Sequence, residues 1–250
     1  MKRLLRIMVL TLASGLAVGA LSQHVWAQQP GVSAMAQLPP ALRAAVLSGN
    51  SQLISQSIAT LSGGDPAREA LLSTGVVNAA ESILPTNPQA ALAAAAAAVQ
   101  MVQQSAVNSS SPVQALEVAT TAARIIINPE AQRILPLVCA QVALGSVSLV
   151  SNPGVYASNP AAAIQVMANS FTTANSQSVQ AASPNTAAAM NTLLVSASTQ
   201  NNLNQSNPNN GSDIAKILSN RTDFNTPNNK TPAQPTVPPV TEVNKVVSPG

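Results

Sequence analysis

The chain has 250 residues, of which 46% are hydrophobic and 8% are charged, with 11 basic and 8 acidic side chains. Three basic residues, Lys2, Arg3 and Arg6, lie in an N-terminal segment that we expect to be removed, which leaves equal numbers of basic and acidic residues. The high isoelectric point therefore belongs to that segment, and the charge balance gives no support for nucleic-acid binding.

Residues 1–27 have the pattern of a secretory signal peptide. Basic side chains precede an apolar run over residues 7–21, and Val25 and Ala27 supply the small residues for cleavage before Gln28. The run is short for a membrane span of about 20 residues, so we favour cleavage over a buried or membrane-spanning N-terminal helix. We therefore expect a periplasmic or secreted protein of bacterial type, with no stable membrane insertion after cleavage.

Residues 28–38 are predicted to be a short flexible lead, after which proline recurs at multiples of a fixed 24-residue interval. The prolines concerned are Pro40, Pro88, Pro112, Pro136, Pro160, Pro184 and Pro208. The fourth residue of each block is small (Ala91, Ala115, Cys139, Ala163, Ala187), and the seventh is apolar (Ala94, Val118, Val142, Val166, Met190). A fixed period of this kind marks an internal repeat. We predict about seven repeat units.

The blocks are rich in alanine, which has the highest intrinsic helix propensity. Helix starts are predicted where a capping residue precedes proline, at Asp65-Pro66, Asn87-Pro88, Ser111-Pro112, Asn128-Pro129, Asn159-Pro160 and Ser183-Pro184. Ser111 and Gln114 also match a capping box. Gly49, Gly63 and Gly75 are predicted to end helices. A second proline inside a block, such as Pro129, predicts a helix of about 13 residues followed by a short one.

These features predict an all-α fold in which short alanine-rich helices stack as an α-solenoid over residues 39–204. Such helices are marginal alone and gain stability by packing on their neighbours. A compact helical bundle is the alternative, because spacing along the chain does not determine the order of the helices in space. Residues 205–250 are rich in Asn and Pro with few large apolar residues, and we predict a disordered tail there.

The mature chain would contain no histidine, since His24 leaves with the signal peptide, and this excludes Ser–His and Cys–His catalytic sites. No dinucleotide-binding or phosphate-binding glycine motif is present. The single cysteine, Cys139, is interpreted as a small buried residue rather than a nucleophile. Glu69 and Glu81 are weighed as an acid/base pair, but carboxylates near helix N-termini are the simpler interpretation. We expect no catalytic, cofactor-binding or metal-binding residues, and no enzyme.

What remains is a neutral surface of Ser, Thr, Asn and Gln on a repetitive scaffold. Solenoids use such surfaces to bind extended partners. The sequence therefore predicts an exported, non-catalytic helical-repeat scaffold that binds another envelope or secreted component, a protein rather than a nucleic acid. The alternative is a self-associating structural protein of the envelope or extracellular matrix, because low charge weakens the repulsion between copies.

Overall fold

The computed structural model describes residues 30–219, and the predicted signal peptide and the tail beyond residue 219 lie outside that range. Fifteen α-helices and no strand occur within residues 30–219, which confirms the all-α prediction. They are α1 (Pro30–Gln37), α2 (Pro40–Ser48), α3 (Ser51–Ser62), α4 (Pro66–Ile83), α5 (Pro88–Val102), α6 (Ser105–Ser110), α7 (Pro112–Ile126), α8 (Pro129–Ile134), α9 (Pro136–Val150), α10 (Pro153–Ser158), α11 (Pro160–Ala174), α12 (Gln177–Ala182), α13 (Thr186–Thr199), α14 (Asn201–Ser206) and α15 (Asn210–Leu218).

Helices α5, α7, α9 and α11 each contain 15 residues and each begins at one of the regularly spaced prolines. Each is followed by a helix of 6 residues, so a long and a short helix alternate over this part of the chain. Proline suits the first helical turn because the N–H that it lacks would have no partner there. The Asn87 side chain accepts a hydrogen bond from Ala90 N, and that of Asn159 accepts one from Ala162 N, both at 3.1 Å. These two helix caps are confirmed.

Three of the predicted helix signals are wrong. The Ser111 side chain makes no cap hydrogen bond, so the capping box does not form; its backbone both ends α6 and begins α7. Helix α13 begins two residues after Pro184, because the Ser183 and Thr186 hydroxyls bond to each other at 2.7 Å across a turn. Gly75 lies inside α4, where a Cβ atom would approach the Leu38 side chain to 3.1 Å.

The folded part begins earlier than predicted. The flexible lead expected over residues 28–38 contains α1 in its described part, and α1 packs against α4. Leu38 is buried at the end of this helix. The Arg43 guanidinium donates hydrogen bonds to the carbonyls of Ala36 (2.9 Å) and Leu38 (3.1 Å). These contacts fix the position of a segment that the composition alone did not predict to be ordered.

The folded part also extends beyond residue 204, past the predicted start of the disordered tail. Helix α15 packs on α11 and α13, with Ile214 and Ile217 buried. The Asn-rich composition predicted disorder because such side chains bury little apolar area. The prediction is wrong up to residue 219, because Asn210 is fully buried and its carboxamide bonds to Tyr156, Asn204 and a backbone carbonyl.

Apart from α2, the helices of eight or more residues, called the long helices here, lie in two layers. Layer A contains α1, α4, α7, α11 and α15, and layer B contains α3, α5, α9 and α13. Each helix contacts the next helix of its own layer and the neighbouring long helices of the other layer, so consecutive long helices alternate between layers. In the described part of the chain, every substantial contact between long helices links neighbours or next neighbours. Short helices α6, α10 and α14 follow one another along one edge, and α8 and α12 follow each other along the other.

The core is built from positions that recur every 24 residues. The apolar seventh residue of each block is buried, and Ile214 occupies the same position in α15. Each short helix has a buried apolar side chain at the same position of the period: Val107, Ala131, Val155, Val179 and Leu203. Alanine removes little apolar area from water, so stability depends on close approach of the helices. Gly145 shows how close they are, since a Cβ atom there would lie 3.1 Å from Val99 Cγ1.

A second recurring feature is found at the C-terminal ends of the long helices, where the last backbone carbonyls have no hydrogen-bond partner within the helix. Side-chain amides in the short helices donate to these carbonyls. The bonds are Asn108 to Gln103 O (3.2 Å), Gln132 to Ile126 O (2.9 Å), Gln180 to Asn175 O (3.0 Å) and Asn204 to Ser198 O (3.3 Å). The remaining position of this series is Tyr156, whose hydroxyl donates to Asn210 Oδ1 (2.9 Å) and accepts from Asn207 Nδ2 (3.2 Å).

Candidate functional site

The carboxylates of the helical body make structural contacts. Asp65 caps α4 by accepting a backbone N–H at 2.9 Å. Glu130 lies in the first turn of α8 and pairs with Arg133, whose hydrogen bond lowers the pKa of Glu130. Glu69 and Glu81 are separated on α4 by roughly 18 Å along the axis at about 1.5 Å per residue, whereas glycosidase carboxylate pairs lie within about 10 Å of each other. They do not form an acid/base pair.

Glu69 is nonetheless an unusual carboxylate, because its residue is only 8% exposed. Burial raises the pKa of Glu69, and the hydrogen bond from Gln104 Nε2 to Glu69 Oε1 (2.8 Å) opposes that rise in part. This bond connects α4 to the residue that precedes α6. Its position between two elements indicates a role in packing them together.

The exposed face of layer A carries a row of polar contacts between α4 and α7. Arg124 Nε and Nη2 lie 2.9 and 2.8 Å from the two carboxylate oxygens of Glu81, which is bidentate geometry. Asn78 Nδ2 donates to Glu117 Oε1 at 3.5 Å. The Arg124 and Glu81 side chains are 49% and 40% exposed, so the pair contributes little to stability. Its main effect is to hold polar groups of two adjacent helices at defined positions.

A cleft of about 340 Å³ lies between α1 and α4 in layer A. Its lining residues are Ala34, Gln37, Leu38, Pro39, Leu71, Leu72, Gly75 and Asn78. Leu71 is 59% exposed although it is a large apolar residue. Asn78 joins the cleft to the polar row because its amide also bonds to Glu117. A concave apolar surface with a few polar groups at its rim is typical of a binding site.

The exposed face of layer B differs in charge. Helix α7 of layer A exposes Val113, Glu117 and Arg124, whereas the equivalent positions of α9 hold Leu137, Gln141 and Ser148. The sequences of the four layer B helices α3, α5, α9 and α13 contain no charged residue. Helices α4, α7 and α15 of layer A all contain charged residues. Helices α1 and α11 of layer A are also uncharged, so the charge of layer A is confined to α4, α7 and α15, whereas no layer B helix carries any.

Cys139 is fully buried, and burial raises the pKa of its thiol to about 12. The thiolate needed for nucleophilic attack is therefore not formed near neutral pH, and the predicted burial of Cys139 is confirmed.

Within residues 30–219, no three His, Cys, Asp or Glu side chains are grouped so that they could hold a metal ion. None of the helices in that range is long and apolar enough to cross a membrane.

No protein-family model matches the chain, and neither does any curated protein or solved structure.

The cleft and the division of charge between layers are features that the sequence did not predict. The cleft depends on the packing of α1, which no periodic pattern marked. The sequence shows only part of the division of charge: the long helices that start at Pro88 and Pro136 are uncharged and the one from Pro112 is not, but the next layer A helix, from Pro160, is uncharged as well.

Proposed function

We propose that this protein is an exported, non-catalytic α-solenoid that acts as a scaffold by binding another envelope or secreted component. The pattern of contacts supports the solenoid, because each long helix contacts neighbours and next neighbours in a continuing two-layer stack. A stack of this kind offers a long continuous surface, which solenoid proteins use to hold partners. In a compact bundle, by contrast, helices distant in sequence would also pack together.

Export is supported by the sequence of residues 1–27, and the proposed location is the periplasm or the extracellular space. Mass spectrometry of the exported protein should give an N-terminus at Gln28, and a product that retains residues 1–27 would contradict this. The balanced charge of the mature chain provides no net attraction for a nucleic-acid backbone. We propose neither nucleic-acid binding nor stable membrane insertion after cleavage.

The layer A cleft is the proposed binding site for a partner protein. The observation that carries this proposal is the exposure of Leu71 in an apolar concavity whose rim includes the Asn78 amide. An apolar side chain of the partner would fill the cleft, while Glu117 and the Glu81–Arg124 pair would bond around it, as in the apolar centre and polar rim of known interfaces. The high pKa of the Cys139 thiol and the separation of the carboxylates support a non-catalytic role.

Capture experiments with two matched variants test this site. Leu71→Asp places a charge in the cleft, and Leu53→Asp places one at another exposed leucine (46% exposed) on α3. We expect the wild type and Leu53→Asp to capture the same component from the periplasm or culture medium, and Leu71→Asp to lose it. Equal capture by both variants would contradict the site. Turnover of a cell-wall or polysaccharide substrate by the purified, metal-free protein would contradict the non-catalytic role.

A self-associating structural protein of the envelope or extracellular matrix is the second candidate function. The uncharged face of layer B favours it, because copies that meet through a neutral face experience little electrostatic repulsion. Light scattering that rises with protein concentration in the absence of other components would support this function, and a constant monomer mass would contradict it.

A further inference from the structure

We propose that the layer B face is the interface of a symmetric dimer, in which two copies of this chain pack their uncharged faces together and leave both layer A faces outward. The inference rests on the second of the two functions proposed above and specifies its contact surface. It is independent of the partner proposed for the layer A cleft, so the two can fail separately.

The composition of the face matches that of a protein interface. Helix α9 lies between α5 and α13 in layer B and exposes Leu137 (55% exposed), with Leu144 half-buried two turns further along. The neighbouring helices contribute small or neutral side chains: Ala93, Ala96 and Gln100 from α5, and Ala189, Thr192 and Ser196 from α13. The face thus combines exposed apolar side chains with small and polar residues and carries no charge on its helices, which agrees with the depletion of charged residues at the core of protein interfaces.

Charge and hydrogen bonding favour a second copy as the occupant. A charged partner surface would have to bury its charges against a face that offers no opposite charge, which is costly. The same face of a second copy brings no charge. Gln100 and Gln141 each present amide donors and a carbonyl acceptor on this face, and such side chains can pair with copies of themselves across a two-fold axis. The face is therefore complementary to itself.

The size of the face is sufficient. Layer B helices of this length extend about 20 Å at about 1.5 Å per residue, and four helices side by side at about 9 Å spacing span about 36 Å. The product is roughly 700 Å², close to the area of about 800 Å² that each partner contributes to a typical stable interface. A dimer through layer B would therefore have an interface of ordinary size.

The first test compares two variants at equivalent positions of successive long helices. Leu137 and Val113 are both the second residue of their helix and are 55% and 59% exposed, but they lie in layers B and A respectively. We expect the exported wild-type protein and Val113→Arg to show the dimer mass by light scattering at about 100 μM. Leu137→Arg should weaken dimerisation by about 30-fold or more, the effect typical of losing one energetically important interface residue. Circular dichroism should give the same helicity for both variants.

The second test uses cross-linking and does not depend on a destabilising charge. Since Cys139 is buried, a single introduced cysteine is the reactive thiol of the folded chain. We expect Leu144→Cys to form dimers with a short bismaleimide, whereas Thr120→Cys, the equivalent position in layer A, should not. A monomeric wild type, equal dissociation by both arginine variants, or stronger cross-linking at position 120 would each overturn the proposal. None of these results would affect capture of a partner at the cleft.

Discussion

Replacing Tyr156 with phenylalanine removes one oxygen atom from the buried junction of α10, α14 and α15. The Tyr156 side chain has no exposed surface, and its hydroxyl makes hydrogen bonds of 2.9 Å to Asn210 and 3.2 Å to Asn207. The variant leaves Asn210 Oδ1 without its donor in a fully buried position, while the Asn210 amide keeps its bonds to Ala197 O and Asn204. At about 1 kcal/mol for each lost bond, we expect a destabilisation of about 2 kcal/mol.

Urea and thermal unfolding followed by circular dichroism measure this effect. A loss of about 2 kcal/mol corresponds to a fall in Tm of roughly 4–8 °C for a chain of this size. Hydrogen exchange should show the loss concentrated in α14 and α15, because a stacked array unfolds locally at its ends. A double-mutant cycle with Asn210→Ala should give a coupling energy of about 1 kcal/mol, since both changes remove the same bond. Additive effects, or a Tyr156→Phe variant as stable as wild type, would refute the reasoning.

Three further predictions concern buried polar groups. The hydroxyls of Ser146 and Ser170 are buried without a hydrogen-bond partner among the described residues, so replacing either with alanine should raise the free energy of unfolding by about 1 kcal/mol in a urea titration. Burial raises the pKa of Glu69 above 4.5, so the folded state binds the proton of Glu69 more tightly than the unfolded state does. The stability of the wild type should therefore fall as pH rises from 4.5 through the raised pKa. Glu69→Gln should abolish that fall when unfolding is measured as a function of pH. Cys139→Ala should change stability by no more than about 1 kcal/mol, and the Cys139 thiol should resist maleimide until the protein is unfolded.

The regular helix positions were predictable because their signals are local. A proline after Asn87 or Asn159 places a helix start through backbone chemistry within three residues. The repeat period also showed that the seventh residue of each block is apolar, and the structure shows that it is buried. The failures at Ser111 and Gly75 have different causes. The Ser111 backbone is shared between two consecutive helices, which is a local effect, whereas Gly75 faces Leu38 from another segment, which is a tertiary one.

The layers and the candidate site required knowledge of three-dimensional packing. A 24-residue period does not indicate that successive units alternate between two layers. The uncharged layer B face around Leu137 was therefore not predicted. The amide series from Asn108 to Asn204 follows the same period, but its meaning depends on which carbonyls lie within reach. Composition misjudged the C-terminal boundary because a buried asparagine such as Asn210 is stable when its carboxamide is fully bonded.

Deleting residues 88–135 tests most directly the claim that units stack through near neighbours in alternating layers. This deletion removes α5 to α8, two complete units, so α9 would follow α4 and every remaining helix would keep its own layer. We expect a shorter protein with unchanged helicity per residue and a cooperative thermal transition, because each unit depends on its near neighbours. A protein that loses its helical circular dichroism signal after this deletion would contradict the account and indicate a compact bundle with one indivisible core.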